Sequence, residues 1–230
     1  MKDIAVLKLR PTQPNRCLLA IALPMTENDF LDGLKADSPK DYAKSRLRKL
    51  DWQNEALWQL DHRPFVGFLQ KKADEVARRG VVVCFNFKLA DFSMVADYEV
   101  VTLVTHFDSQ QNTVELADGM FTPHTIAAQL PADFTGIFDL TVCYSTHLQE
   151  AIKHVCPHCT VIANKSPTSF EFRLSFYKMT IEMLGQLNKN YVEAIGDLRL
   201  QLINDKNKSN NGWFKRYFTE IHQYFTSRGR

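Results

Sequence analysis

Apolar positions along the chain follow two different spacings, and the change falls near residue 80. Between Asp51 and Arg79 the apolar residues recur at threes and fours, a spacing that is typical of an amphipathic helix. Pro64 interrupts this pattern and predicts either a kink or two separate helices, and Gly80 is placed to end it. The apolar positions of this stretch are Trp52, Leu57, Trp58, Phe65, Phe68, Leu69 and Val76.

Short continuous apolar runs replace this spacing after Gly80. Residues 81–87 (VVVCFNF), 99–106 (EVVTLVTH) and 136–145 (GIFDLTVCYS) each contain an apolar run with the length of a strand. Such runs are typical of strands that are buried on both faces, as in a parallel sheet covered by helices. A similar run at Leu18–Leu23 predicts one more strand, before the helical stretch.

Helical segments alternate with these strands. Thr122 and Pro123 are well placed as the N-cap and first residue of a helix over residues 122–130, and a second helix is predicted over 146–155. This alternation of strands and helices predicts a layered α/β sheet. The other predicted elements are an exposed strand or hairpin at 112–119, a strand at 159–166, and a long helix that starts at Ser166 and Pro167 and runs to about Gly185.

The predicted organisation has three parts. Residues 1–80 supply an N-terminal strand and a helical portion packed on the core, residues 81–204 form the core itself, and residues 205–230 form a linker and a C-terminal helix. The linker (DKNKSNNG, 205–212) is polar and ends in glycine. The helix that follows has one aromatic face, formed by Trp213, Tyr217, Ile221 and Tyr224 or Phe225.

An aromatic face of this size needs a cover, because exposed apolar patches are costly. The helix could pack against one of three surfaces: the protein's own core, a protein partner or second copy, or a membrane. Docking on its own core is favoured. The membrane is the least favoured, since a membrane-surface helix usually carries a richer rim of Lys and Arg than this one does.

Composition narrows the class of protein only a little. The chain has 230 residues, a net charge of +2 and 45% apolar residues, which is ordinary for a globular protein and gives no reason to expect nucleic-acid binding. No apolar run reaches the roughly 20 residues that a membrane-spanning helix needs. Five cysteines are an odd number and predict no disulfide framework, so a reducing cytoplasm is the expected location.

The stretch KHVCPHCT (153–160) looks at first like a redox or zinc motif. A redox CxxC needs its first cysteine at a helix N-terminus, where the helix dipole lowers the pKa of the thiol. Here the predicted order is helix, CxxC, strand, so Cys156 would lie at the wrong end of a helix. Zinc needs four ligands and this CxxC supplies two, while His154 and His158 are not expected to converge with them. The favoured interpretation is a structural turn without metal or catalysis.

Two other residues have positions that fit catalysis better. His106 ends the strand EVVTLVT, and Cys143 ends the strand GIFDLTV. In open α/β sheets, ligands bind just outside the carboxyl ends of the strands, so the two side chains would meet there on neighbouring parallel strands. A helix predicted to begin near Ser145 or Thr146 also places Cys143 beside a helix N-terminus. The alternative for each is ordinary: a buried core cysteine and a hydrogen-bonded surface histidine.

The order of elements from about Val81 to about Ile203 resembles a caspase-like cysteine peptidase core and is most similar to the CHAT branch of that superfamily. That order is a strand with a terminal histidine (VVTLVTH), a hairpin with an acidic-Gly turn (NTVELADG), a helix (TPHTIAAQL) and a strand with a terminal cysteine (IFDLTVCYS). A helix, a strand and two further helices follow. The resemblance implies a three-layer α/β/α sandwich with a mostly parallel central sheet. Two positions differ from the family: Phe107 stands where it usually has glycine, and Val142 where it usually has a small residue.

The same resemblance implies a cysteine endopeptidase that acts on a protein or peptide and needs no cofactor or metal. Cys143 would attack the peptide carbonyl as a thiolate, and His106 would donate a proton to the leaving amine. The backbone N–H groups of Cys143 and Phe107 would stabilise the oxyanion. The substrate-binding candidates, in loops at the same sheet edge, are Asp91 and Asp97 for a basic side chain and Lys165 for an acidic one.

Two other classes of function stay open on the sequence. The first is a caspase-like fold that has lost catalysis and serves as a scaffold or binding module, which Phe107 favours and the intact histidine and cysteine oppose. The second is an α/β domain of another enzyme class. For that class the chain has no Gly-rich phosphate loop, no G-x-S-x-G and no dinucleotide fingerprint.

Overall fold

A central sheet of five parallel strands organises the fold. The computed structural model describes residues 11–29, 63–108, 110–141, 145–163, 170–187 and 189–206 of the chain. In chain order its main elements are β1 (Cys17–Ile21), α1 (Arg63–Ala77), β2 (Val82–Phe85), β3 (Val100–Val104), β4 (Phe107–Asp108), β5 (Thr113–Leu116), β6 (Gly119–Phe121), α2 (Pro123–Ala127), β7 (Ile137–Thr141), α3 (Thr146–Val155), β8 (Thr160–Ile162), α4 (Phe170–Leu187) and α5 (Tyr191–Lys206). The strand order is β2-β1-β3-β7-β8, and each of the neighbouring pairs is parallel. The predicted α/β class with a mostly parallel sheet is confirmed.

Helices bury both faces of this sheet. β1 and β3 are buried along their whole length, and alternate residues contribute to different cores. Leu19 and Ile21 pack with residues of α1, α4 and α5, whereas Leu18 and Ala20 pack with residues of α2 and α3. We call these two sides the α4/α5 face and the α2/α3 face. The continuous apolar runs follow from this arrangement, because a strand covered on both sides has no solvent-facing position.

Helix starts follow the predicted signals where the described residues include them, whereas α2 ends at Ala127 and is shorter than the helix predicted over 122–130. Thr122 is the N-cap of α2, and its hydroxyl accepts a hydrogen bond from the Thr125 N–H at 3.2 Å. α3 has the predicted bounds. The chain leaves α1 through Gly80, whose φ of 96° is accessible mainly to glycine. Ser166 and Pro167, the predicted start of α4, lie outside the described residues.

A second, smaller sheet lies immediately after β3. It consists of β4, β5 and β6 in antiparallel order, so the strand predicted at 112–119 is present as β5 and pairs with one short strand on each side. Val114 and Leu116 of β5 point into the core of the α2/α3 face. The small sheet therefore packs beside the central sheet and fixes the path of the chain that leaves β3.

The predicted division at residue 80 does not separate the N-terminal strand from the core. β1 pairs with both β2 and β3, and Ile21 lies beside Phe85 and Val104. Residues before position 81 therefore supply a central strand. At the other end, the predicted linker and aromatic helix at 205–230 lie outside the described residues from position 207 onward. Among the residues that are described, no helix combines the length and apolar character needed to cross a bilayer.

Candidate active site

The carboxyl edge of β3 and β7 is where the sequence predicts the catalytic pair. These strands are parallel neighbours, and their last residues, Val104 and Thr141, lie opposite each other. His106 follows Val104 by two residues, and Cys143 follows Thr141 by two residues in the chain. Cys143 itself lies outside the described residues, as do its neighbours 142 and 144. The described residues thus establish the pairing of the two strands that lead to His106 and Cys143.

Backbone hydrogen bonds hold the segment around His106 on both sides. The carbonyl of Val104 accepts a hydrogen bond from the Ala22 N–H at 3.0 Å, and the carbonyl of His106 accepts one from the Glu115 N–H at 3.0 Å. The buried hydroxyl of Thr105 donates to the carbonyl of Glu115. The imidazole of His106, by contrast, is exposed to solvent. A fixed backbone thus carries an accessible histidine side chain at the sheet edge.

Phe107 turns its ring away from the side of the sheet that carries His106. The ring is 4% exposed and packs in the core of the α2/α3 face. Val104 belongs to the opposite core, on the α4/α5 face. Since side chains alternate along an extended chain, His106 lies on the same side as Val104, opposite to Phe107. The phenylalanine that replaces the family's usual glycine therefore fills a core position.

The backbone N–H of Phe107 is also directed away from the small sheet. Phe107 lies opposite Val114, and the preceding opposite pair, His106 and Glu115, is joined by a hydrogen bond. Opposite residues in an antiparallel pair alternate between bonded and non-bonded positions. Phe107 and Val114 are therefore a non-bonded pair, and the Phe107 N–H points outward from β5.

A helix N-terminus lies just after the position of Cys143. Ser145 is buried and is the N-cap of α3, which begins at Thr146. The carbonyl of Ser145 accepts a hydrogen bond from the Gln149 N–H at 2.9 Å. The predicted helix start is confirmed, and the positive end of its dipole lies three residues beyond Cys143 in the chain.

The predicted substrate-binding residues have different positions. Residues 89–97, expected as part of a loop, form a 3₁₀ helix in which Phe92 and Val95 are buried. The carboxylate of Asp91 accepts a hydrogen bond from the Lys88 N–H at 2.8 Å and so caps this helix. Asp97 is exposed and comes just before β3, whereas His106 comes just after it, so the strand separates the two. Lys165 lies outside the described residues.

The CPHC stretch forms a buried turn between α3 and β8, in the predicted order of helix, turn and strand. Cys156 and Cys159 are both buried, and the Cys156 thiol donates to the Pro131 carbonyl at 3.2 Å. Burial raises the pKa of both thiols. His154 and His158 are exposed. Within the described parts of the chain, no group of three or more His, Cys, Asp or Glu side chains has the arrangement of a metal site.

A buried polar cluster under α4 and α5 was not predicted. Asp139 of β7 is 3% exposed, and one of its carboxylate oxygens accepts a hydrogen bond from the Tyr191 hydroxyl of α5 at 2.8 Å. The Tyr177 hydroxyl of α4 faces Thr102 of β3 without a hydrogen bond, and burial raises its pKa. Thr102 and Asp139 interrupt otherwise apolar strand runs, and the lone aspartate of GIFDLTV is the sequence signal that could have indicated the cluster.

Arg173 is a buried charged residue that the sequence analysis also did not predict. It is 2% exposed, and its guanidinium lies 5.6 Å from the centre of the Phe170 ring. Arg173 precedes Tyr177 by one helical turn and so shares its helix face. Because α4 follows β8 and returns along the sheet, Arg173 lies closer to the carboxyl edge than Tyr177 does. The first turns of α4 thus bring a buried positive charge toward this edge.

Comparison with known proteins adds no further constraint. No protein-family model matches the chain, and no curated protein or solved structure matches it significantly. The functional assignment therefore depends on the strand order, the residues at the carboxyl edge and the motif order in the sequence.

Proposed function

We propose that the protein is a cysteine endopeptidase of the caspase-like type, with Cys143 as the nucleophile and His106 as the partner that manages protons. The observation that carries this proposal is the pairing of β3 with β7, in which Val104 lies opposite Thr141. His106 and Cys143 each follow their strand by the same number of residues. Neighbouring strands are about 4.8 Å apart, so two side chains at the same level can reach one substrate bond.

The side of the sheet supports the same pairing. Val104 and Ile137 both pack in the core of the α4/α5 face. Residues separated by an even number of positions share a face of an extended strand. If the chain stays extended through residue 143, Cys143 would lie on the same face of the sheet as Ile137. His106 lies on this face as well.

Each residue has a chemical role in this proposal. The Cys143 thiolate attacks the peptide carbonyl, and His106 gives a proton to the leaving amine, which leaves a thioester between Cys143 and the acyl part of the substrate. Water then hydrolyses the thioester with His106 as the base. The α3 N-terminus favours the thiolate form of a cysteine three residues before the helix start. No cofactor is required.

The backbone of Phe107 supplies half of the proposed oxyanion site. Its N–H points outward from β5, so it is free of the small sheet's hydrogen bonding. The N–H of Cys143 would be the second donor. One donor of this kind contributes about 2.7–4 kcal/mol of transition-state stabilisation.

The order of elements favours the caspase-like type over other α/β enzymes. A small antiparallel sheet and α2 lie between β3 and β7, and α3, β8, α4 and α5 follow. This is the order that the resemblance implies from the sequence. The substrate in this proposal is a protein or peptide, with Asp91 and Asp97 as the acidic candidates for binding it and Lys165 as the basic one, and the cytoplasm is the proposed location.

A caspase-like scaffold without catalysis is the second candidate, and the observation that favours it is Phe107. A backbone that carries a large core side chain has less freedom to adjust around an oxyanion than one that carries glycine. The scaffold would bind a protein segment at the same edge without cleaving it.

Peptide hydrolysis by the full-length protein separates the two candidates. Fluorogenic peptides with basic and acidic residues before the cleaved bond, together with unfolded casein, are offered to the wild type and to Cys143→Ser and His106→Ala. We expect each variant to lose about 10³-fold or more in kcat/KM. Cys84→Ser and His124→Ala are the matched controls and should keep the wild-type rate, because Cys84 lies in β2 and His124 in α2. Cleavage that survives Cys143→Ser would refute the peptidase.

A further inference from the structure

Helix α5 carries an exposed apolar stripe on the side that faces away from the core. Val192 is 43% exposed and Leu200 is 61% exposed, and Gly196 lies between them. These residues are spaced by four along the helix and so form one line. A Cβ atom added to Gly196 would meet nothing within 4 Å, so the middle of the stripe is an open notch.

The stripe is opposite to the face by which α5 binds the rest of the protein. Tyr191, Ala194, Ile195 and Leu198 of α5 are buried against α1, α4 and the central sheet. At 100° per residue, the stripe lies about 150° around the helix from the centre of that buried face. Val82 is the other large apolar side chain that is exposed among the described residues, so most of this exposure is concentrated on α5.

The chain itself contains a segment that fits this stripe. Residues 213–225 form the predicted helix with the aromatic face, which includes Trp213, Tyr217 and Ile221. Both surfaces are apolar, and each would leave its apolar area exposed to water if nothing packed on it, which is unfavourable. An aromatic ring also has the size to fill a notch over a glycine.

We propose that residues 213–225 fold back as a helix antiparallel to α5 and cover the stripe formed by Val192, Gly196 and Leu200. α5 ends at Lys206, and residues 207–212 are polar and include Gly212. Connections of two to eight residues typically join antiparallel helix neighbours. Six residues can span up to about 20 Å, whereas packed helix axes are about 8–10 Å apart.

The register of such a hairpin brings the two surfaces together. A turn centred on residues 207–212 places Tyr217 and Ile221 near the level of positions 202 and 198 of α5, so that they lie on either side of Leu200. This docking is independent of the proposed peptidase activity.

Hydrogen exchange of the full-length protein, read by mass spectrometry, tests the docking. In the wild type we expect the amides of 213–225 to exchange at least ten-fold more slowly than those of an unstructured peptide. Leu200→Asp and Val192→Asp put a charge at either end of the stripe. Each should make the amides of 213–225 exchange at least ten-fold faster than in the wild type. Gln201→Asp is the matched control, since it puts the same charge on an exposed neighbouring position of α5, and it should keep the protection.

Peptides that cover residues 191–198 report whether α5 itself stays folded in each variant. Three results would overturn the proposal. Absence of protection in the wild type would mean that residues 213–225 do not dock on the protein. Protection that survives both stripe variants would mean docking elsewhere on the protein. Protection that rises with protein concentration would mean that residues 213–225 dock on a second copy of the chain.

Discussion

At the residue scale, His106 and Phe107 are neighbours with opposite surroundings. The His106 side chain is exposed, and the Phe107 ring is buried in the core of the α2/α3 face. One residue is therefore available for chemistry, while the next anchors the backbone that presents it. The sequence indicated the first role from the strand end, but it could not indicate the second, because the pairing of β4 with β5 decides which side of the chain is buried.

Substitution of these two residues should separate stability from activity. Phe107→Ala removes a buried ring and should lower the free energy of unfolding by about 3–5 kcal/mol. His106→Ala changes an exposed side chain and should leave that free energy within about 0.5 kcal/mol. Urea unfolding followed by circular dichroism measures both. Equal losses in the two variants would mean that the Phe107 ring is not part of the core.

Cys17 is buried at the start of β1, where burial, with a smaller effect of Glu99, raises its pKa from 9.0 to about 12. In the unfolded chain the same thiol ionises near its ordinary value. The raised native pKa therefore contributes stability that is complete below about pH 9 and is lost as the pH rises toward 12.

Cys17→Ala should consequently flatten the alkaline part of the stability curve. Between pH 9.5 and 11 the wild type should lose up to about 1.4 kcal/mol more per pH unit than the variant does. Urea unfolding at a series of pH values gives both slopes, and below pH 8 the two curves should run parallel. Parallel curves above pH 9.5 as well would show that the folded protein does not suppress ionisation of Cys17.

At the scale of elements, the strands and helices with strong local signals were predicted. The runs at 81–87, 99–106 and 136–145 contain β2, β3 and β7, and α3 has the predicted bounds. The 3₁₀ helix at 89–97 and the short strands β4 and β6 were not predicted. Their structure depends on long-range contacts, such as the Leu89 N–H, which donates to the Asp118 carboxylate at 3.1 Å.

The packing of α5 on β7 includes a polar contact that the apolar runs gave no reason to expect. The hydroxyl of Tyr191 donates to Asp139 at 2.8 Å within the core of the α4/α5 face. A buried carboxylate that loses a donor bears a desolvation cost. This contact therefore links the last described helix to the strand that leads to Cys143.

Tyr191→Phe should lower the free energy of unfolding by about 1–3 kcal/mol. Tyr177→Phe is the matched control, because the Tyr177 hydroxyl is buried without a hydrogen bond and its removal should cost less or even stabilise the protein. Urea unfolding of both variants gives the comparison. A larger loss for Tyr177→Phe would contradict the hydrogen-bonding pattern.

At the scale of the whole molecule, the class of fold followed from the alternation of strands and helices, whereas the strand order did not. β1 lies between β2 and β3, although it is separated from β2 by about 60 residues of chain. Local patterns carry no information about such pairings. The neighbouring positions of β3 and β7 bear most directly on function, because the proposed dyad requires them.

Selective labelling of the five cysteines tests the proposed dyad most directly. Limiting iodoacetamide is added to the native full-length protein near pH 7, and peptide mass spectrometry measures the label on each thiol. We predict that Cys143 reacts at least about ten-fold faster than half-buried Cys84, and that His106→Ala removes this advantage. Cys17, Cys156 and Cys159 should stay unlabelled, because these three thiols are buried away from the reagent whereas Cys84 is partly exposed. A Cys143 that reacts no faster than Cys84, or equally fast without His106, would contradict the dyad.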